Sequence, residues 1–286
     1  MSSPETFKLY RYSPSTAAAG VATALFAIVT ALHGFKMYRS RGWFLIPLFV
    51  GGLFEIIGYA ARAYSASQTP NWTLGPYILQ SLLLLVAPVL FAGSIYMILG
   101  RIILMTDGES HAIVRRKWLT KVFVACDVLA FVVQSGGASL QASHSIATMN
   151  TGEKIAVTGL FIQIIAFSLF VAVAVVFHAR MVKVPTSRSS EVPWKKHLLA
   201  LYISSGLIMV RSIFRVIEFI QGNAGYVFTH EWFLYVFDAL LMLGVLGLFC
   251  WVHPGEIRGY LERKGNSQEE DSVPMQVHQR LGSDVN

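Results

Sequence analysis

Seven times along this chain an apolar run reaches the length that crosses a bilayer. The runs cover residues 16–35, 43–64, 75–100, 119–140, 155–177, 198–220 and 232–251. A membrane-spanning helix needs about 20 mostly apolar residues. Within hydrocarbon, a run of that length satisfies its own backbone only as a helix. The expected fold is therefore all-α, a polytopic membrane protein built as a seven-transmembrane-helix bundle. Composition agrees: 54% of the 286 residues are hydrophobic and 14% are charged, against about 25% charged in soluble domains. A soluble chain so poor in charge would fail to cover its surface.

The loops are too short to hold a further domain. The expected division is 1–15 as an extracellular N-terminal segment, 16–254 as the transmembrane domain and 255–286 as a cytosolic tail, largely disordered. The end of that tail, GNSQEEDSVPMQVHQRLGSDVN, is polar and acidic with little apolar periodicity. The opening residues lack the charged n-region and compact apolar core of a secretory leader. No internal repeat is visible, and seven spans do not divide into the matched halves of inverted-repeat transporters. Cys126 and Cys250 both fall inside spans and read as small hydrophobes, not a disulfide framework.

Basic residues set the expected orientation. Lys36, Arg39 and Arg41 follow the first span; Arg101, Arg115, Arg116, Lys117 and Lys121 follow the third. The fifth is followed by Arg180, Lys183, Arg188, Lys195 and Lys196, and the tail adds Arg258, Arg263, Lys264 and Arg280. The opposite side carries only Lys8, Arg11 and Lys154. The positive-inside rule places the N-terminus outside and the C-terminus in the cytosol. The sequon Asn71-Trp72-Thr73 falls in a loop assigned to the outside, which makes Asn71 a glycosylation candidate. The net charge of +7 thus reads as orientation and contact with anionic lipid, and no nucleic-acid partner is expected.

The spans also hold ionisable groups, which are expensive in hydrocarbon and mark functional sites by default. Glu55, Tyr59 and Arg62 stand at i, i+4, i+7. So do Arg211, Arg215 and Glu218, and so do Glu231, Tyr235 and Asp238. Such offsets share one helix face, and a membrane helix turns that face inward. With Gln80, Gln134 and Gln163 at similar depth, the expectation is a polar, ion-paired cavity in the outer half of the bundle. It would bind an amphipathic ligand through Glu55, Tyr59, Arg62, Gln80, Arg211, Arg215, Glu218, Tyr235 and Asp238, with Phe219 lining an apolar part. Gln134, His230 and Glu231 are mouth candidates. Asp127 lies in the inner half of its span and is a packing or switch candidate. Structural clamping is the competing account of the same charges.

Other patterns carry less. Pro88 interrupts the third span and reads as ordinary membrane-helix packing. Gly51-Gly52, Gly136-Gly137 and Gly244-x-x-Gly247 offer close helix contacts, and Gly222, Asn223 and Gly225 suit a tight turn between spans six and seven. No two of the eight histidines stand four apart, so no zinc-hydrolase pair is present and no metal is expected. Neither a G-x-S-x-G elbow nor a phosphate-binding loop appears. The seventh span lacks a lysine for a retinal Schiff base. No catalytic residue and no cofactor is assigned.

Four stretches together resemble one family. RSIFRVIEFIQGNAGYVFTHEWFLYVFDALLM (211–242) followed by WVHPGEI (251–257), GGLFEIIGYAARA (51–63), LLLLVAPVLFAGSIYMILGRII (82–103) and DVLAFVVQSGGA (127–138) are similar to the RTA-like family of fungal seven-helix proteins, also called lipid-translocating exporters. The resemblance implies a plasma-membrane, multi-pass protein tied to lipid handling and drug tolerance. It implies membrane lipids and amphipathic small molecules as partners: sphingoid long-chain bases, aminosterol-type compounds or porphyrins. Protein partners are left unassigned. A seven-helix lipid or stress receptor and an intramembrane lipid hydrolase are the alternatives.

Overall fold

The computed structural model describes Tyr10 and residues 12–141, 145–221 and 225–261. The rest of the N-terminal segment, the turn residues Gly222 and Asn223, and the tail from residue 262 lie outside the described residues, so the expected disorder of the tail does too.

Seven helices long and apolar enough to cross a membrane are present, and no strand occurs among the described residues. The first, α1 (Thr16–Ser40), starts at Ser15, whose Oγ accepts the Ala18 N–H at 3.2 Å, the usual hydroxyl N-cap. It ends at Arg41, which takes the left-handed conformation (φ 49°) while the Gly42 N–H closes on the Met37 carbonyl at 3.0 Å. A single 3₁₀ turn, Trp43–Leu45, leads into α2 (Ile46–Ser67), with Pro47 in its first turn, where a missing N–H costs nothing. Then follow α3 (Leu74–Met105), α4 (Arg116–Gln141), α5 (Ile146–Lys183) and α6 (Trp194–Gln221). The seventh helix, α7, is assembled from Trp232–Leu234, a π-helical turn over Tyr235–Ala239, and Leu240–Trp251.

The helices outrun the apolar runs. α5 has 38 residues and α3 has 32, because apolar composition marks only the part immersed in hydrocarbon. Past that boundary, segments such as His178-Ala-Arg-Met-Val-Lys183 keep good helix formers and the helix continues.

α3 is the central element, contacting α2, α4 and α6, while α7 packs on α6 and α1 and closes the bundle. The core joins Phe91, Ile95 and Ile102 of α3 to Phe170 and Phe177 of α5 and Phe249 of α7, all fully buried. On the outside, Leu25, Ile28, Leu32 and Phe35 of α1 and Leu129 and Val132 of α4 stay exposed, as suits a surface solvated by acyl chains. Glycine contacts are selective. A Cβ on Gly137 would stand 2.6 Å from the Gly152 carbonyl oxygen, so α4 and α5 meet backbone to backbone there. Gly136 and Gly247 have nothing within 4 Å. The small-surface expectation therefore holds for Gly51, Gly52 and Gly137, and fails for those two, whose Cα atoms face outward.

The two ends of the bundle differ. One end carries Tyr10, Tyr12 and the α2–α3, α4–α5 and α6–α7 connections; we call it the N-terminal face. The other carries the α1–α2, α3–α4 and α5–α6 connections and most of the lysines and arginines, and we call it the basic face.

Candidate functional site

Three arginines and three carboxylates meet between α2, α6 and α7, toward the N-terminal face. Arg62 pairs with Glu231 at 2.8 Å, Arg215 with Glu218 at 2.6 Å, and Arg211 with Asp238. Each guanidinium is deeply placed: the side chains of Arg62, Arg211 and Arg215 are 1%, 4% and 18% exposed. Charges this far from water persist only when paired and hydrogen-bonded.

The Arg62 pair is a hub. Its Nη2 also donates to the Tyr12 hydroxyl at 2.7 Å, and its Nε donates to the Tyr235 hydroxyl at 3.2 Å. The rings of Tyr10, Tyr12 and Tyr235 surround its guanidinium carbon with centroids at 5.7, 5.7 and 5.6 Å, within cation–π range. Glu231 in turn accepts from the Tyr235 hydroxyl at 3.1 Å and from the Ser15 backbone N–H at 2.9 Å. One carboxylate thus fastens the start of α1, α2 and α7 together. Burial pushes the Tyr12 hydroxyl above its ordinary range, against the pull of the adjacent Arg62.

The Arg211 pair forms a floor. Its Nη2 donates to the Leu84 carbonyl at 2.7 Å. Pro88, four residues on, has no N–H to offer that carbonyl, so Pro88 leaves an acceptor in α3 that Arg211 fills. Asp238 receives the Tyr59 hydroxyl at 3.4 Å, and it sits in the π-helical turn of α7. Such turns are rare and cluster at functional positions. Beside this floor, Glu55 is fully buried, and neither of its carboxylate oxygens meets a hydrogen-bond partner among the described residues.

Above the floor lies a cavity of about 370 Å³, within the range of small-ligand sites. Arg62, Gln80, Arg215, Glu218, Asp238 and His230 supply its polar wall. Tyr10, Tyr12, Tyr77, Phe219 and Phe233 supply an aromatic wall, with the Phe219 ring 5.4 Å from the Arg215 guanidinium carbon. The lining also reaches Leu74, Ile78 and Leu82, which are exposed on the outer surface of α3. A ligand with an ionisable head and an apolar body would find both chemistries here, together with an apolar way out to the bundle surface.

The expected residues therefore separate into groups. Arg62, Gln80, Arg215, Glu218, Asp238 and His230 line the cavity. Tyr59, Arg211, Tyr235 and Glu231 stand behind that wall and hold it, and Glu55 is buried behind it without a hydrogen-bond partner among the described residues. Two others lie elsewhere: Asp127 accepts the Tyr96 hydroxyl at 2.7 Å inside an aromatic cluster with Phe123 and Phe170, and the Gln134 amide donates to Gln163 Oε1 at 2.9 Å between α4 and α5. Asn71 is exposed in the α2–α3 connection, at the same face as the cavity. The sequence reading missed Tyr10, Tyr12 and Tyr77. The Tyr-x-Tyr pair just ahead of a first span, where amphipathic rings anchor at the interface, was the available signal. It also missed that His33 and His253 approach ring to ring, with centroids 5.6 Å apart, near the basic face. No group of three or more metal-ligating side chains forms a candidate metal site among the described residues.

Comparison with known proteins adds a second line. The family model described as RTA1 like protein matches residues 48–260, a stretch that contains all three ion pairs and leaves out Tyr10 and Tyr12. Protein RTM1 of Saccharomyces cerevisiae is 36% identical over 282 residues, covering 85% of this chain and 90% of its own length. Protoporphyrin uptake protein 1 of Saccharomyces cerevisiae (strain ATCC 204508 / S288c) is 35% identical over 283 residues, covering 85% and 91%. Sphingoid long-chain base transporter RSB1 of Saccharomyces cerevisiae (strain Lalvin EC1118 / Prise de mousse) is 23% identical over 266 residues, covering 81% and 69%. No solved structure matches the chain.

Proposed function

The chain belongs to the RTA1-like family of membrane proteins, and from that premise we propose that it binds amphipathic lipids or lipid-like drugs and moves them across its membrane. Relatives named for protoporphyrin uptake and for sphingoid long-chain base transport point to transport of amphipathic small molecules in preference to catalysis. The observation that carries the reading is the cavity itself. It sets Arg215, Glu218 and Asp238 against an aromatic wall and extends to the exposed side chains of Leu74, Ile78 and Leu82. A headgroup would enter from the N-terminal face while its tail stays among the acyl chains beside α3.

In this mechanism an amine head, as on a sphingoid base, competes with Arg215 for Glu218. An acidic head, as on a porphyrin, competes with Glu218 for Arg215. Each exchange forms one charge-assisted hydrogen bond and breaks another, and it leaves the displaced Arg215 or Glu218 side chain facing the cavity, where water can solvate it. The floor formed by Arg211, Asp238 and Tyr59 limits how deep the head travels. With the N-terminus outside, this cavity faces the cell exterior, and the plasma membrane is the proposed location.

The test is reconstitution. Purified protein in liposomes should carry a fluorescent long-chain base across the bilayer. Glu218→Gln, which keeps an acceptor for Arg215 but loses the charge that holds an amine, should slow transfer by about tenfold, the effect of losing roughly 1.4 kcal/mol of differential interaction. Wild-type protein that binds the base without moving it would replace the transporter reading by the receptor reading.

A further inference from the structure

Two carboxyl groups meet one guanidinium at the cavity floor. Arg211 pairs with Asp238 and spends its Nη2 on the Leu84 carbonyl. Glu55 lies within electrostatic reach of both Arg211 and Asp238, yet neither of its buried oxygens has a hydrogen-bond partner among the described residues. Tyr59 also faces it, but the Tyr59 hydroxyl goes to Asp238. An ionised carboxylate so placed would lack a matching charge, whereas a neutral carboxylic acid needs none. The three groups balance when one carboxyl holds a proton.

A row of buried polar groups leads from Glu55 to the basic face. One turn nearer that face on α2, Gly52 abuts α1: a Cβ there would stand 2.5 Å from Thr30 Oγ1. Thr30 Oγ1 has no hydrogen-bond partner among the described residues, and neither ring nitrogen of His33, one turn further along α1, has one. The His33 ring meets that of His253 with centroids 5.6 Å apart, and His253 Nε2 lies 3.1 Å from the hydroxyl of half-buried Ser40 at the end of α1. Lys36 of α1, His197 of α6 and Glu256 also bear on the two histidines. One helical turn is about 5.4 Å, a step that a single water can bridge between buried polar groups.

We propose that Glu55 carries a proton that is exchanged, one for one, for a cationic headgroup in the cavity. This rests on the transport reading and gives it a driving ion. As a head enters from the N-terminal face, the Glu55 O–H bond breaks and its electron pair stays on Glu55. The proton passes to the Asp238 carboxylate and on to water in the cavity that Asp238 lines. Glu55 then shares Arg211, and Asp238 is free to hold the cation. A proton entering from the basic face beside Ser40 passes from His253 to His33 and through bridging waters to Glu55. Arg211 returns to Asp238, and the head is released toward the opposite leaflet. The floor is matched in charge in both states.

The experiment uses the full-length protein in liposomes with a trapped pH-sensitive dye and the membrane potential clamped by valinomycin and potassium. The probe is a fluorescent long-chain base with a trimethylated amine, which cannot carry a proton itself and suits an aromatic wall. With the interior about one pH unit more acidic, wild type should load the inner leaflet to about ten times the outer, and the interior should turn alkaline as the base enters. Glu55→Gln, which cannot titrate, should lose both responses. His33→Leu should slow the alkalinisation about tenfold or more. His111→Gln, at the same face but off the route, should change it less than about twofold. Size-exclusion profiles report folding for each variant, and the wild-type gradient response decides the matter without them. Wild type that moves the base at equal pH but ignores the gradient, or Glu55→Gln that keeps both responses, would overturn the coupling and leave the transport reading standing. A wild-type rate in His33→Leu would overturn the histidine route. Wild type that moves no base under either condition would overturn coupling and transport together.

Discussion

Asp238 is held from two sides, by the guanidinium of Arg211 and the hydroxyl of Tyr59, in a layer almost closed to water. Breaking such a pair from one side leaves a buried unmatched charge. Asp238→Asn should therefore destabilise the protein by about 3–5 kcal/mol, read as a lowered thermal midpoint in detergent. Arg211→Met combined with Asp238→Leu removes both charges at once and should regain much of that loss. Transport by the double variant should stay low if the pair serves the ligand, and should return with stability if the pair only clamps helices. This settles at one residue pair a question that spacing alone left open. Of the three ion pairs, only Arg215 with Glu218 was legible in the sequence, because both stand on one helix at i, i+3. The partners of Arg62 and Arg211 come from α7, and no periodicity within a helix encodes which neighbour it will meet. Glu231, expected at the mouth, turns out to anchor the start of α1 for the same reason.

At the scale of the element, the seven spans were readable because hydrocarbon admits one backbone solution. Two local features of those helices were not. The π-helical turn at Tyr235–Ala239 leaves no compositional mark. Pro88 was visible, but its consequence, a Leu84 carbonyl free to accept from Arg211, depends on a helix far away in sequence. Close packing was partly readable, since small residues stood out while their facing did not. Gly136 and Gly137 are adjacent, yet only Gly137 abuts α5, with Ala156 Cα 2.8 Å from where its Cβ would be. Gly137→Leu should force α4 and α5 apart and cost about 1–3 kcal/mol. Gly136→Leu, with nothing within 4 Å, should leave the midpoint nearly unchanged. Thermal melts of the two variants side by side check both statements, and a large loss at Gly136 would mean that α4 faces the other way.

Across the whole molecule, chemistry is divided between the two ends. The N-terminal face holds the cavity lined by Arg62 and Arg215, each paired with a carboxylate, and the basic face gathers most of the lysines and arginines at the helix connections. That division is what an oriented bilayer selects: lysines and arginines beside spanning helices resist translocation and meet anionic lipid on the cytosolic side. Arg115, Arg116 and Lys117 at the α3–α4 connection and Lys183, Arg188, Lys195 and Lys196 around the α5–α6 connection all fall on one face. The N-terminal face should accordingly be extracellular. Asn71 and Ser187 are both exposed, one in a connection at each face, so they suit cysteine labelling in a background where Cys126 and Cys250 are replaced by serine. Asn71→Cys, which also removes the sequon, should react with a membrane-impermeant maleimide on intact cells. Ser187→Cys should react only once the membrane is permeabilised. The reverse pattern would turn the bundle over. The ligand cavity would then open to the cytosol, and substrate would be captured from the opposite leaflet.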